Sequence, residues 1–156
     1  MKPFRVMFIC SGNICRSPLA HAVFEHLSAE AGLSGEFEIE SSGTGAWHVG
    51  EQADSRMRKT ASAHGVRLNH RSRQLHRKDL SDYHLLLAMD HHNHRDTVAL
   101  ARTPEEREKV RLFRDFDPAG TGDVPDPWYG GLEGFEDVWK IVKRTCESLL
   151  KDLSGE

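Results

Sequence analysis

Cysteine is scarce in this 156-residue chain: there are only Cys10, Cys15 and Cys146. So odd and sparse a set excludes the disulfide framework of a small secreted domain and predicts reduced thiols. Long apolar runs are missing as well. No stretch approaches the roughly 20 residues that span a bilayer, and the short run FRVMFIC near the start has no small-residue cleavage pattern after it. A cytoplasmic protein is expected, with signal-less export left open. Basic excess is also absent. The 21 Lys and Arg against 24 Asp and Glu give a formal net charge of -3, so no global field recruits nucleic acid or a membrane, and any anionic ligand must be held locally. Neither a repeat nor a low-complexity tract is present, and the length predicts one domain over residues 1–156.

What the chain does contain is an alternation of strand and helix patterns. Residues 4–10 read as a buried strand, because Phe4, Val6, Met7, Phe8 and Ile9 are β-formers in a run too short for a helix. A helix is expected next, with Ser17 as N-cap, Pro18 at the first helical position, Leu19, Val23, Leu27 and Ala31 on one face, and Gly32 as the stop. Phe37 and Ile39 suggest a second strand near an edge, SSGTG a turn, and residues 53–64 a helix stopped by Gly65. YHLLLAM at 83–89 predicts a central strand, HHNHRDTVALA a helix, and VRLF at 110–113 the last strand. A long Gly-, Pro- and Asp-rich loop at 114–134 follows, and then a helix over 134–153 with Phe135, Val138, Trp139, Val142, Cys146, Leu149 and Leu153 at helical spacing. This order predicts an α/β fold, a single-domain three-layer α/β/α sandwich on a central four-stranded parallel sheet, with ligands beyond the carboxyl ends of the strands.

The loop CSGNICRSP at 10–18 carries the chemistry. Six residues lie between Cys10 and Ser17, and their N–H groups can converge on an anion at a helix N-terminus. Gly12 and Asn13 suit the positive φ of such a nest. A nucleotide P-loop would need Lys followed by Ser or Thr, where Cys15, Arg16 and Ser17 stand. The Arg16 fork matches phosphate oxygens and favours an ionised Cys10, which becomes a nucleophile under the phosphorus atom. Cys146, on the apolar face of the last helix, reads as structural. DHHNHRD at 90–96 places His91 and His94 on one helix face between carboxylates, but a solvated helix start is the plainer reading, and neither metal nor cofactor is expected.

CSGNICRSP together with DPWYGG at 126–131 resembles the low-molecular-weight protein tyrosine phosphatases, over nearly the whole chain. The resemblance implies Cys10 as nucleophile, Arg16 as phosphate clamp and Asp126 as general acid and then base. It implies substrate contacts from Ser11, Gly12, Asn13, Ile14, Cys15 and Ser17, with the Ser17 hydroxyl also supporting the thiolate and Asn13 shaping the loop. His70 and Ser42 match residues that hold this loop. Trp47, Trp128 and Tyr129 resemble the aromatic walls of a slot deep enough for phosphotyrosine. Many relatives carry two tyrosines after Asp-Pro that can be phosphorylated, and here Trp128 leaves only Tyr129 for that role. In relatives the second loop cysteine, here Cys15, closes a reversible disulfide with the nucleophile under peroxide. The implied partners are phosphotyrosine-containing proteins, with inorganic phosphate as product.

Two enzymes with the same loop pattern serve as rivals. Thioredoxin-coupled arsenate reductases relay oxidation through two further downstream cysteines, and residues 70–100 contain none. Protein-arginine phosphatases carry threonine at the position of Ile14, an apolar residue that suits a phenyl ring instead.

Overall fold

The computed structural model describes residues 2–155, the side chain of Tyr129 excepted. Four strands, β1 (Phe4–Cys10), β2 (Phe37–Gly43), β3 (Leu85–Ala88) and β4 (Val110–Leu112), pair in parallel in the order β2-β1-β3-β4. Along β1 the side chains alternate between two cores: Val6, Phe8 and Cys10 face one, Met7 and Ile9 the other. A strand covered on both faces must be apolar throughout, which is why FRVMFIC has no polar alternation. β2 lies at an edge, as its alternating glutamates suggest.

Helices α1 (Arg16–Glu30), α2 (Ser55–Ala63), α3 (Asp79–Asp82), α4 (His91–Val98), α5 (Pro104–Glu108) and α6 (Leu132–Ser154) complete the layers. Leu19 and Phe24 of α1, Met57 of α2, and Phe135, Val138 and Val142 of α6 pack on one face. Leu80 of α3, Val98 of α4, and Leu75 and Tyr83 cover the other. Each fully buried Leu, Val or Phe contributes about 1.5–3 kcal/mol. The result is the expected three-layer sandwich. No described helix is long and apolar enough to cross a membrane.

The helix after the loop begins earlier than the sequence pattern suggests. Cys15, not Ser17, is the N-cap of α1 and makes no side-chain cap bond, which puts Ser17 and Pro18 at the second and third helical positions. The first-turn N–H groups lack intrahelical acceptors, so proline is tolerated there. The Ser17 hydroxyl is free to face Cys10 rather than cap the helix. Phe113 leaves the last strand for a 3-10 turn (Phe113–Phe116), and the long loop contains a second one (Pro127–Tyr129). The base of that loop is pinned by buried Asp117, which accepts from Arg114 Nε at 2.9 Å and from Arg144 Nε and Nη2 at 2.8 and 2.9 Å. Burial alone would push this carboxyl up, but the bonds from Arg144, Ala119 N–H and Arg114 hold it down to about 2.

Candidate active site

β1 and β3 are neighbours, so the loop leaving Cys10 and the segment leaving Ala88 rise side by side at the carboxyl edge. The loop carbonyls are drawn outward. Cys10 O accepts from Thr44 N at 2.9 Å, Ser11 O from Gly45 N at 3.0 Å, Gly12 O from Ser72 Oγ at 3.0 Å, and Ile14 O from Asp54 N at 2.8 Å. Among the described residues, the N–H groups of Ser11, Gly12, Ile14, Cys15 and Arg16 have no protein acceptor. A ring of outward carbonyls and free amides at a helix N-terminus is an anion cradle.

Only one of the two positive φ values expected in this loop occurs. Asn13 has φ 57, but Gly12 is outside that region. Small size matters instead at Gly12, where a Cβ would stand 3.0 Å from the His48 ring. The sharper steric requirement lies across the sheet at Gly43, whose Cβ would meet Ser11 O at 2.8 Å.

Behind the cradle, Asn13 is held on three sides. Its Oδ1 accepts from His70 Nε2 and from Arg73 N, each at 3.0 Å, and its Nδ2 donates to Ser17 Oγ at 2.8 Å. Since Ser17 Oγ accepts that bond, its own proton points to Cys10 Sγ at 2.9 Å rather than to Ser42 O at 3.5 Å. Asn13 N–H also donates to Cys10 Sγ at 3.2 Å. Two donors, the Ser17 hydroxyl and the Asn13 N–H, thus converge on the Cys10 sulfur. Ser42 meets this bracket through its carbonyl, while its hydroxyl donates to Met7 Sδ. Burial and the adjacent His21 ring push His70 below the usual imidazole value, against the opposing charge of Glu40.

Arg16 is almost wholly buried, and its Nη1 donates to Asp90 Oδ2 at 2.8 Å and to Val124 O at 2.9 Å. Asp90 also caps α4 through Asn93 N, and Val124 N is tied to Met89 O, so the Arg16 guanidinium is fixed to the end of β3. Across the mouth, Asp126 Oδ2 stands 3.7 Å from Arg16 Nη2, half-exposed, and Asp126 Oδ1 accepts from Trp128 N.

A cavity of about 400 Å³ opens above these groups, lined by Cys10, Ser11, Gly12, Ile14, Cys15, Arg16, Trp47, Asp126 and Trp128, and by His48. Asn13 and Ser17, expected among the substrate contacts, do not line it; their side chains form the bracket beneath. Tyr129, the third aromatic expected at the rim, has its side chain outside the described residues. Trp47 is largely exposed, while Trp128 sits between the His48 ring at 5.7 Å and the Arg56 guanidinium at 5.4 Å. His48, Arg56, Asp90 and Asn93, whose Nδ2 donates to Ser11 Oγ, escaped the sequence reading. Only the DHHNHRD stretch, an N-cap pattern in Asp90, held any signal for them.

The remaining candidates sort readily. Cys15 is buried against the cradle, and burial together with Asp54 and Cys10 pushes its thiol up. Cys146 is fully buried, 3.7 Å from Ala20 O. His91 pairs with Asp123 and His94 with Val110 O, so the two histidines that share a sequence motif have separate partners.

A family model described as low molecular weight phosphotyrosine protein phosphatase matches residues 5–156. The low molecular weight protein-tyrosine-phosphatase of Streptomyces coelicolor is 45% identical over 150 residues, covering 94% of this chain and 92% of that protein. A crystal structure of the protein tyrosine phosphatase from Entamoeba histolytica, with Hepes in its active site, matches at TM-score 0.94 and 35% identity over 97% of each chain. The YwlE arginine phosphatase, in a mutant with a phosphorylated active-site serine, matches at TM-score 0.87 and 25% identity over 98% of this chain and 97% of that one. The match runs through the cradle and nearly the whole sandwich, and on it the chain belongs to the low molecular weight phosphotyrosine protein phosphatase family of phosphoric monoester hydrolases.

Proposed function

We propose that the protein hydrolyses phosphotyrosine on other proteins through a cysteinyl-phosphate intermediate, with inorganic phosphate as product and without a cofactor. The observation that carries this reading is the convergence of Cys10, Arg16 and Asp126 on one cavity walled by Trp47 and Trp128. The cradle amides and the Arg16 fork take the phosphate oxygens and set the phosphorus over Cys10 Sγ. Sulfur attacks, the S–P bond forms, and the P–O bond to the ring breaks. Protonated Asp126 gives its proton to the departing phenolate oxygen. The resulting carboxylate then takes a proton from water, whose oxygen attacks phosphorus, and the S–P bond breaks to release phosphate and the Cys10 thiolate. The sparse, odd cysteine content of the sequence suits a reducing compartment, which agrees with a cytoplasmic site of action.

The likeness to an arginine phosphatase favours a second reading, phosphoarginine as substrate. Against it, buried Ile14 presents an apolar surface to the cavity, which suits a phenyl ring better than a guanidinium. Turnover of phosphotyrosine, phosphoserine and phosphoarginine peptides, and of arsenate with reductant, by wild type, Cys10→Ser and Asp126→Asn tests both readings. Selective phosphotyrosine hydrolysis, lost in Cys10→Ser and slowed in Asp126→Asn, is expected. Undiminished turnover in Cys10→Ser would overturn the mechanism, and preference for phosphoarginine would overturn the substrate.

A further inference from the structure

Beneath the cradle, on the side away from the cavity, two histidines and a glutamate from three elements meet. His21 comes from α1, Glu40 from β2 and His70 from the segment before α3, and each offers a ligand atom within 4.8 Å of the other two. The hydrogen bonds around them determine which atoms those are. Asn13 Oδ1 also accepts from Arg73 N–H, so this amide oxygen is an acceptor and His70 must place its proton on Nε2. His70 Nδ1 then carries a lone pair, and it faces the Glu40 carboxylate at 3.4 Å. His21 repeats the arrangement. Its Nε2 faces Glu25 at 3.3 Å, and its Nδ1 looks towards Glu40 at 4.0 Å and the Ser41 hydroxyl at 3.2 Å. Ser41 partly satisfies this group, its hydroxyl within reach of His21 Nδ1 and its N–H donating to Glu40 Oε1 at 2.9 Å, and a proton or a metal cation between the rings and the carboxylate relieves the repulsion that remains.

We propose that His21 Nδ1, His70 Nδ1 and a Glu40 oxygen form a binding site for a divalent zinc-type cation. Two imidazoles and a carboxylate are a zinc donor set, completed by water, and tetrahedral bonds of about 2.0–2.1 Å place neighbouring ligand atoms about 3.4 Å apart. His70 and Glu40 already stand at that spacing. The outer contacts are those a metal-bound histidine requires, since each ring turns its far nitrogen to an oxygen acceptor, Asn13 Oδ1 for His70 and Glu25 for His21. Glu25 and Glu40 together supply two negative charges that a divalent cation balances. A cavity of about 150 Å³ lies alongside the two rings, lined by His21, Glu25 and His70. Metal bound here fixes His70 in the orientation that braces Asn13, and so couples occupancy to the rigidity of the cradle. The site stands independently of the phosphatase reading.

The test uses full-length protein carrying Cys10→Ser and Cys15→Ser, which removes the thiols that would otherwise compete for the metal. Titration with Co2+ is expected to give the visible bands of one tetrahedral ion without thiolate charge transfer, displaced by Zn2+ and not by Mg2+, and Zn2+ is expected to raise the unfolding temperature. In the same background His21→Gln and Glu40→Gln should each abolish the bands while far-ultraviolet circular dichroism stays native. Glu25→Gln, which spares the ligands and alters only an outer partner, should weaken Co2+ binding by about 10- to 100-fold. Bands that survive His21→Gln and Glu40→Gln, absence of bands in the parent, or equal stabilisation by Mg2+ would overturn the proposal.

Discussion

Arg16 Nη1 and Asp90 Oδ2 meet at 2.8 Å across 74 residues of chain, with 3% of the arginine side chain and 19% of the aspartate exposed. This pair sets the plane of the guanidinium that faces the cradle, and the same carboxylate caps α4.

Replacing Asp90 separates those two duties. Asp90→Ala leaves a buried cation without its partner, a loss of about 3–5 kcal/mol, to which the missing cap adds about 1 kcal/mol. Asp90→Asn keeps the cap through its one amide oxygen but turns an NH2 donor towards Arg16, so it loses the ion pair and should unfold between Asp90→Ala and wild type. Both should raise the KM for an aryl phosphate, Asp90→Ala by about tenfold or more, equivalent to about 1.4 kcal/mol. Steady-state kinetics alongside urea unfolding checks this, and an unchanged KM in Asp90→Ala would remove Asp90 from the clamp.

Asn13 offers a test of backbone against side chain. At φ 57, Asn13→Gly keeps the conformation and loses the hydrogen bonds, whereas Asn13→Ala loses both. Alanine should be less stable than glycine by about 1–2 kcal/mol. The two should show a similar loss of turnover, because the bonds to Ser17 and His70 are gone in each. Thermal unfolding with parallel kinetics reads the difference.

Asp117 makes the acid limb of stability predictable. Its carboxyl titrates at about 2 in the folded protein and at about 3.9 in an unfolded chain. The stabilisation is therefore complete above about pH 4 and disappears as the pH falls towards 2, an amount of order 2 kcal/mol. Asp117→Asn should be destabilised by about that much at neutral pH and should converge with wild type near pH 2, as followed by urea midpoints across the range.

Cys15 lies buried with Cys10 in the cradle wall, its thiol held protonated by burial. Hydrogen peroxide is expected to convert Cys10 to a sulfenic acid, and attack by the Cys15 sulfur would then form the S–S bond and release water. Wild type inactivated by peroxide should recover with a dithiol and show a Cys10–Cys15 peptide by mass spectrometry. Cys15→Ser should progress to an irreversibly oxidised form. Irreversible loss in wild type would deny Cys15 this protective role.

The parts of the site that could be read from the chain are those that lie close together along it. Cys10 and Arg16 are separated by one loop between a strand and a helix, and local geometry alone directs both at the same anion. A residue type that serves two purposes is ambiguous in the sequence. Ser17 looks like a helix cap because capping is the common use of a serine before proline, yet its hydroxyl is taken up by Asn13 and the Cys10 sulfur. Gly12 looks like a positive-φ residue but is small to make room for His48.

By itself, then, the sequence determined the order of the four strands and the four longer helices and the parallel sheet, and marked the loop after Cys10, because apolar periodicity and short-range spacing are local properties, whereas the short helices α3 and α5 left no such pattern. Tertiary structure alone decided what surrounds that cradle. The order β2-β1-β3-β4 places the end of β3 against the loop, which brings Asp90 to Arg16 and carries the 114–131 segment over the mouth. It also packs α1 beside β2, which unites His21, Glu40 and His70 beneath Asn13. Contacts between residues tens of positions apart leave no periodic mark in a single chain. They exist only once burial of the two apolar faces of the sheet has fixed the register.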